Sequence, residues 1–321
     1  MRRWFVVVSI VLVLAVGAYL GFGYGLYHEL VDINGRCSRH LANTPAQFTD
    51  LGNFWPAGFD YAPYFMPSYE TIAIPSRDPA VTLAGWYIQA APEAPAVLIV
   101  HGYGSCKNSH TELVPAGMLH KAGFSVLIID LRDAGDSTQL DGYTALGNEE
   151  YLDVLGAWDW LVGAKGIPAA RVGILGNSVG GAVALVAMGE EKGITAVFAD
   201  SPPSDLTVYL PDEARRNKFP TFMLPVALWW SRQAGGVDLL AHQAKDALPQ
   251  FAPSQQFAII HSRADIFVDV AQTERLEAES ERLGLNGRFT YFDNASHMAI
   301  PAFYPTEYET ILVSFFQQAL K

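Results

Sequence analysis

Six short apolar runs recur along this chain, at residues 96–100, 125–130, 171–175, 196–200, 256–261 and 288–292, with longer stretches between them. A run such as 96–100, AVLIV, is apolar throughout instead of alternating, which is the pattern of a strand covered on both faces. In the intervals, apolar residues fall on one helical face, as Tyr151, Leu155, Trp158 and Leu161 do. Strand and helix in alternation require long crossovers and therefore imply a mostly parallel sheet. Two earlier runs, 69–74 and 81–88, joined by a turn containing Asp78-Pro79, bring the expected strands to eight. The interval 203–250 breaks the alternation: it holds Pro211, Pro220 and Pro225, a bulky run at 219–230, and no obvious strand.

A second constraint lies at the N-terminus. After Arg2 and Arg3, residues 4–27 carry no charge, and about 24 residues suffice for a helix to cross a hydrocarbon core of ~30 Å. Residues 6–14 followed by Ala15-Val16-Gly17 also read as a cleavable signal peptide, whose removal would make the protein secreted. The apolar sequence runs on through Ala18-Tyr19-Leu20, however, and Trp4, Tyr24 and Tyr27 flank it as interfacial aromatics, which favours an uncleaved anchor over 1–27. Arg36 and Arg39 balance the two N-terminal arginines, so loop charge does not orient the segment. Its order, basic and then apolar, is that of an export signal and places the following body outside the cytoplasm. Residues 28–68 read as a connecting arm before a single large domain. With 33 acidic against 21 basic residues the net charge is −12, which argues against a nucleic-acid partner. Cys37 and Cys106 are too few for a disulfide scaffold or a cysteine zinc site, and whether they pair depends on a distance that sequence does not carry.

The chemistry concentrates in four places. Gly176-Asn177-Ser178-Val179-Gly180 has the form G-x-S-x-G between an apolar run and a stretch of small helix formers. A serine on such a sharp turn presents its Oγ above the sheet, and the flanking glycines leave room for the bend. The run 96–100 leads into His101-Gly102-Tyr103-Gly104, so the backbone N–H groups of Tyr103 and Val179 are the expected oxyanion donors, with His101 a structural turn residue. His297, directly after the last run, is the expected base; His261 ends the preceding run and reads as a core or rim residue. Asp265 follows the run 256–261 and is the first choice to orient His297, with Asp269 and Asp200 as rivals. H-E-x-x-H, C-x-x-C and G-x-x-x-x-G-K-S/T patterns are absent, so neither a metal nor a cofactor is expected.

Taken in order, these motifs resemble the α/β-hydrolases, in the serine-hydrolase branch of esterases, lipases and prolyl-oligopeptidase-like peptidases. The similarity covers about 69–321. It departs at Leu131-Arg132-Asp133-Ala134-Gly135-Asp136-Ser137, where relatives often show Arg-Gly-x-Gly-x-Ser. The resemblance implies an α/β-hydrolase fold, a mostly parallel eight-stranded sheet flanked by helices, with 203–250 as a helical cap over Ser178. It also implies acyl transfer through a Ser178–His297–Asp265 triad and an acyl-enzyme. A small-molecule carboxylic ester or other acyl substrate comes first, because Phe222, Met223 and Trp229 suit the wall of an acyl pocket; alternatively Trp229 and Trp230 pack the cap as ordinary core. Peptide cleavage comes second. A non-catalytic binding protein on the same fold is the remaining class, and the complete triad speaks against it.

Overall fold

Strands β3 (Ala96–Val100) and β4 (Ser125–Ile129) are buried at every position, as their unbroken aliphatic sequences require. The computed structural model describes residues 2–51 and 55–320; Met1, residues 52–54 of the arm, and Lys321 lie outside the described residues. Among the described residues one eight-stranded sheet forms, adding β1 (Glu70–Pro75), β2 (Thr82–Ile88), β5 (Val172–Asn177), β6 (Ala196–Asp200), β7 (Gln256–Ser262) and β8 (Asn286–Phe292) in the order β1-β2-β4-β3-β5-β6-β7-β8. It is mixed: β1 and β2 pair antiparallel, β2 joins β4 antiparallel, and every pairing from β4 to β8 is parallel.

Alternate side chains of β3 feed two cores. Val97 and Ile99 pack on the face covered by α2 (His110–Lys121), while Leu98 and Val100 face α3 (Tyr151–Asp159) and α4 (Val179–Glu190). The Ser109 hydroxyl caps α2 by accepting from the Thr111 N–H. The interval after β6 is helical, with α5 (Leu206–Arg216), α6 (Leu224–Gln233) and the short α7 (Ala244–Ala247). Then follow α8 (Ala271–Leu283), the one-turn α9 (Ile300–Phe303) and α10 (Pro305–Ala319), whose Phe315 and Phe316 close the α2 face.

The N-terminal segment is one unbroken helix, α1 (Arg2–Val31), long and apolar enough to cross a membrane. Its residues 2–18 are exposed throughout, Tyr19 and Leu20 touch the region after β6, and Leu26, Tyr27, Leu30 and Val31 enter the α3–α4 core. Gly23 lies against α6 so closely that a Cβ there would fall 2.0 Å from Val226 Cγ1. Beyond α1, Cys37 and Cys106 are disulfide-bonded, tying the arm to the loop that follows β3.

Candidate active site

The turn from β5 into α4 is as tight as its sequence suggests. A Cβ on Gly176 would lie 2.3 Å from the Gly180 carbonyl oxygen, and one on Gly180 would lie 2.4 Å from that of His101. Between them Ser178 adopts φ 52° and ψ −122°, a conformation that costs a non-glycine residue about 1–3 kcal/mol and persists because its surroundings impose it. Those surroundings include a bond from the Ser178 N–H to the Asp200 carbonyl at 2.8 Å and one from the Gly181 N–H to the Ser178 carbonyl at 2.9 Å.

Ser178 Oγ is 2.9 Å from His297 Nε2, and His297 Nδ1 is 2.6 Å from Asp265 Oδ2. Three residues far apart in sequence thus form one chain of hydrogen bonds. Asp265 sits in the loop between β7 and α8, where its Oδ1 accepts from the N–H groups of Phe267 and Val268 at 2.8 and 3.0 Å. Burial works against its charge, but hydrogen bonds from His261 and His297 and from the Val268 N–H outweigh it and hold the carboxyl well below the usual carboxylate range.

The rivals of Asp265 lie elsewhere. Asp269 Oδ1 accepts from the Ala271 N–H at the start of α8. Asp200 is wholly buried at the end of β6, where its Oδ1 accepts from the Ser201 hydroxyl at 2.8 Å. Burial pushes its carboxyl up to about 6, against the pull of Ser201, His297 and His261. His261 does more than fill the core. Its Nδ1 meets Thr273 Oγ1 at 2.7 Å, and its Nε2 lies 2.9 Å from the Val268 carbonyl and 3.3 Å from Asp265 Oδ2. It therefore lies against the same carboxylate oxygen as His297. The spacing of His261 and Asp265, four residues apart, was the available signal for that contact.

The loop after β3 lies against the elbow, since a Cβ on Gly102 would be 3.0 Å from Ser178 Cβ. The Val179 N–H opens α4 and so has no acceptor within it. Tyr103 and Val179 both line a cleft of about 20 Å³, room for roughly one water, together with Gly102, Leu131, Arg132 and Glu150. His101 is a turn residue: its Nε2 accepts from the Leu131 N–H at 3.0 Å. Arg132 is held by Asp153 through Nε at 3.1 Å and Nη2 at 2.8 Å, which fixes the loop that departs from the Arg-Gly-x-Gly-x-Ser pattern. Met223 is buried in the cap, whereas Phe222 and Trp229 are exposed; none of the three lines the cleft beside Val179.

Comparison with known proteins agrees with this architecture. Residues 113–321, about two thirds of the chain, match the prolyl oligopeptidase family. Two uncharacterized proteins of Mycobacterium tuberculosis are each 29% identical over 143 residues, 44% of this chain and 48% of theirs, so the chain spans about half the length of the curated relatives it matches. The esterase Pf2001 of Pyrococcus furiosus superposes with a TM-score of 0.64 at 23% identity, covering 79% of this chain and 93% of that one. A puromycin-hydrolyzing peptidase of Mycobacterium tuberculosis gives 0.64 at 17% identity over 82% of this chain and 41% of its own. These likenesses establish the fold, and the chain belongs to the prolyl oligopeptidase family of α/β serine hydrolases.

Proposed function

We propose that this protein is a membrane-anchored serine hydrolase that cleaves carboxylic esters of small-molecule or acyl substrates. The observation that carries the reading is the pair of hydrogen bonds, 2.9 and 2.6 Å, running from Ser178 through His297 to Asp265 at a strained elbow. In this reading His297 Nε2 takes the Ser178 proton as Oγ attacks the carbonyl carbon, and Asp265 stabilises the resulting imidazolium. The Tyr103 and Val179 N–H groups meet the developing oxyanion, His297 protonates the leaving alcohol, and water then releases the acid by the same steps in reverse roles.

The family match supports peptide cleavage as the second reading. An apolar α1 with an exposed outer stretch supports the anchor, and the Cys37–Cys106 disulfide supports a body on the oxidising side of the membrane. Assaying the purified protein on p-nitrophenyl esters and on aminoacyl p-nitroanilides, with Ser178→Ala alongside, tests the reading. Ester turnover that Ser178→Ala abolishes is expected; turnover confined to the anilides would assign a peptidase.

A further inference from the structure

Two large rings on the cap stay exposed while their neighbours are buried. Phe222 is 62% exposed and Trp229 43%, yet Met223, Leu224, Val226 and Ala227 beside them are in the core. Phe222 adjoins α1 directly, and Trp229 reaches it through Trp230, at one level of that helix. The Tyr19 hydroxyl donates to the Phe222 carbonyl at 3.0 Å and their rings stack at 6.3 Å. Trp230 Nε1 donates to the Leu20 carbonyl at 2.9 Å, its ring meets Tyr24 edge-on at 5.3 Å, and Trp229 packs on Trp230 at 4.8 Å.

The helix serves as a ruler. From Arg2 to Phe22 it is almost wholly exposed, and about 21 residues at ~1.5 Å each span ~31 Å, the thickness of a hydrocarbon core. The level of Tyr19 to Tyr24 is then where α1 leaves the bilayer. Tyr19, Tyr24, Phe222, Trp229 and Trp230 gather there, and aromatic side chains collect at that depth because one part of each ring system is apolar and the other tolerates water. Phe222 and Trp229 are exposed at the same level as the exposed Tyr19, Phe22 and Tyr24 of α1.

From these contacts we infer that the cap seats on the bilayer α1 crosses, with Phe222 and Trp229 in its interface, an inference that rests on reading α1 as a membrane span. The seat fixes the height of the catalytic cleft. The Tyr103 hydroxyl bonds to the carbonyls of Glu29 and Asp32 at 3.3 and 3.2 Å, seven to ten residues beyond Phe22, or about 10–15 Å along the helix. The cap also contacts the loop beside the catalytic base. Arg216 of α5 donates to the Ile266 carbonyl at 3.2 Å, Ile266 is 74% exposed, and the Phe267 ring lies 5.9 Å from that of His297.

The test uses the full chain in phosphatidylcholine vesicles, with an environment-sensitive NBD label at Phe222→Cys, at Val11→Cys and at exposed Arg282→Cys. Nitroxide-bearing lipids and aqueous iodide are the quenchers. The label at 222 is expected to lose emission to the lipid nitroxide and be shielded from iodide, as at 11, while that at 282 responds to iodide alone. If 11 is quenched from the lipid but 222 responds to iodide like 282, the seat is wrong and the anchor stands. If 11 also responds to iodide alone, the anchor reading fails and the seat with it. Shielding of 222 from both quenchers would mean that protein, such as a second copy, covers the cap, and would likewise overturn the proposal. A Trp229→Cys label repeats the measurement should Phe222→Cys not fold.

Discussion

The hydroxyl of Tyr103 lies 3.2 Å from the carbonyl oxygen of Asp32, joining the loop that faces Ser178 to the residue that follows α1. Two further contacts act on the same loop: the Arg36 guanidinium lies 4.8 Å above the Tyr103 ring, and Cys37 is bonded to Cys106. In the proposed reading the N-terminal segment is thus both a membrane span and a brace for the oxyanion loop.

Removing the covalent part of that brace should cost stability and rate together. The disulfide closes a loop of 69 residues, which by chain entropy contributes about 4 kcal/mol. The double variant Cys37→Ser/Cys106→Ser is expected to unfold at lower denaturant and to show a reduced kcat on a p-nitrophenyl ester. An unchanged kcat would mean that the loop holds its shape without the arm.

Asp265→Asn should lower kcat on the order of 10⁴-fold, because His297 would lose the acceptor that fixes its tautomer. His261→Gln should lower it by roughly 10–100-fold, matching the loss of one hydrogen bond to a charged group, about 1.5–3 kcal/mol. Asp269→Asn should remain near wild type, since the Asp269 carboxylate accepts from the Ala271 N–H and not from His297. Should Asp269→Asn or Asp200→Asn prove more damaging than Asp265→Asn, the orienting carboxylate has been misassigned.

Asp200 gives a pH signature. Its folded-state value is pushed up to about 6 from 3.8, so between those values the native state holds a proton that the unfolded chain releases. Its contribution to stability is therefore fully present below pH ~4 and is lost as pH rises to about 6, a change of roughly 3 kcal/mol. Asp265 has the opposite sign: its contribution is present above the unfolded value and is lost only at lower pH. Asp200→Asn should thus be more stable than wild type at pH 7–8, with the gain vanishing near pH 4. Urea titrations at four pH values check this, and a gain that does not depend on pH would refute it.

The packing of α1 on α6 can be probed at one glycine. Gly23→Leu would drive a side chain into Val226 and should cost about 1–3 kcal/mol, whereas Gly21→Leu, with open space at its Cβ, should be neutral. Equal thermal shifts for the two variants would show that α1 does not pack on α6 in solution.

The parts of this molecule that declare themselves in sequence are those whose physics is local. The strands β3, β4, β5 and β6 read as unbroken apolar runs because both faces of each are covered. Ser178 is legible because its turn demands glycine at 176 and 180. Chain order and position after the last two apolar runs single out His297 and Asp265, and the two lie 2.6 Å apart. What stayed hidden depends on distances between remote segments. The Cys37–Cys106 pair and the burial of Asp200 are of that kind. The charge at Glu29 conceals that α1 continues to Val31, although Leu26, Tyr27, Leu30 and Val31 keep one helical face apolar. The exposure of Phe222 and Trp229 depends on how α6 lies against α1, which their own sequence does not specify.

The proposed chemistry depends above all on Ser178 as the nucleophile. The direct measurement is reaction of the purified, full-length protein with a fluorophosphonate probe, followed by mass-spectrometric location of the adduct. The expected result is a single adduct on Ser178, absent from Ser178→Ala while its circular dichroism is unchanged, and strongly slowed in His297→Ala. An adduct on another residue, or labelling that survives Ser178→Ala, would mean that Ser178 is not the nucleophile.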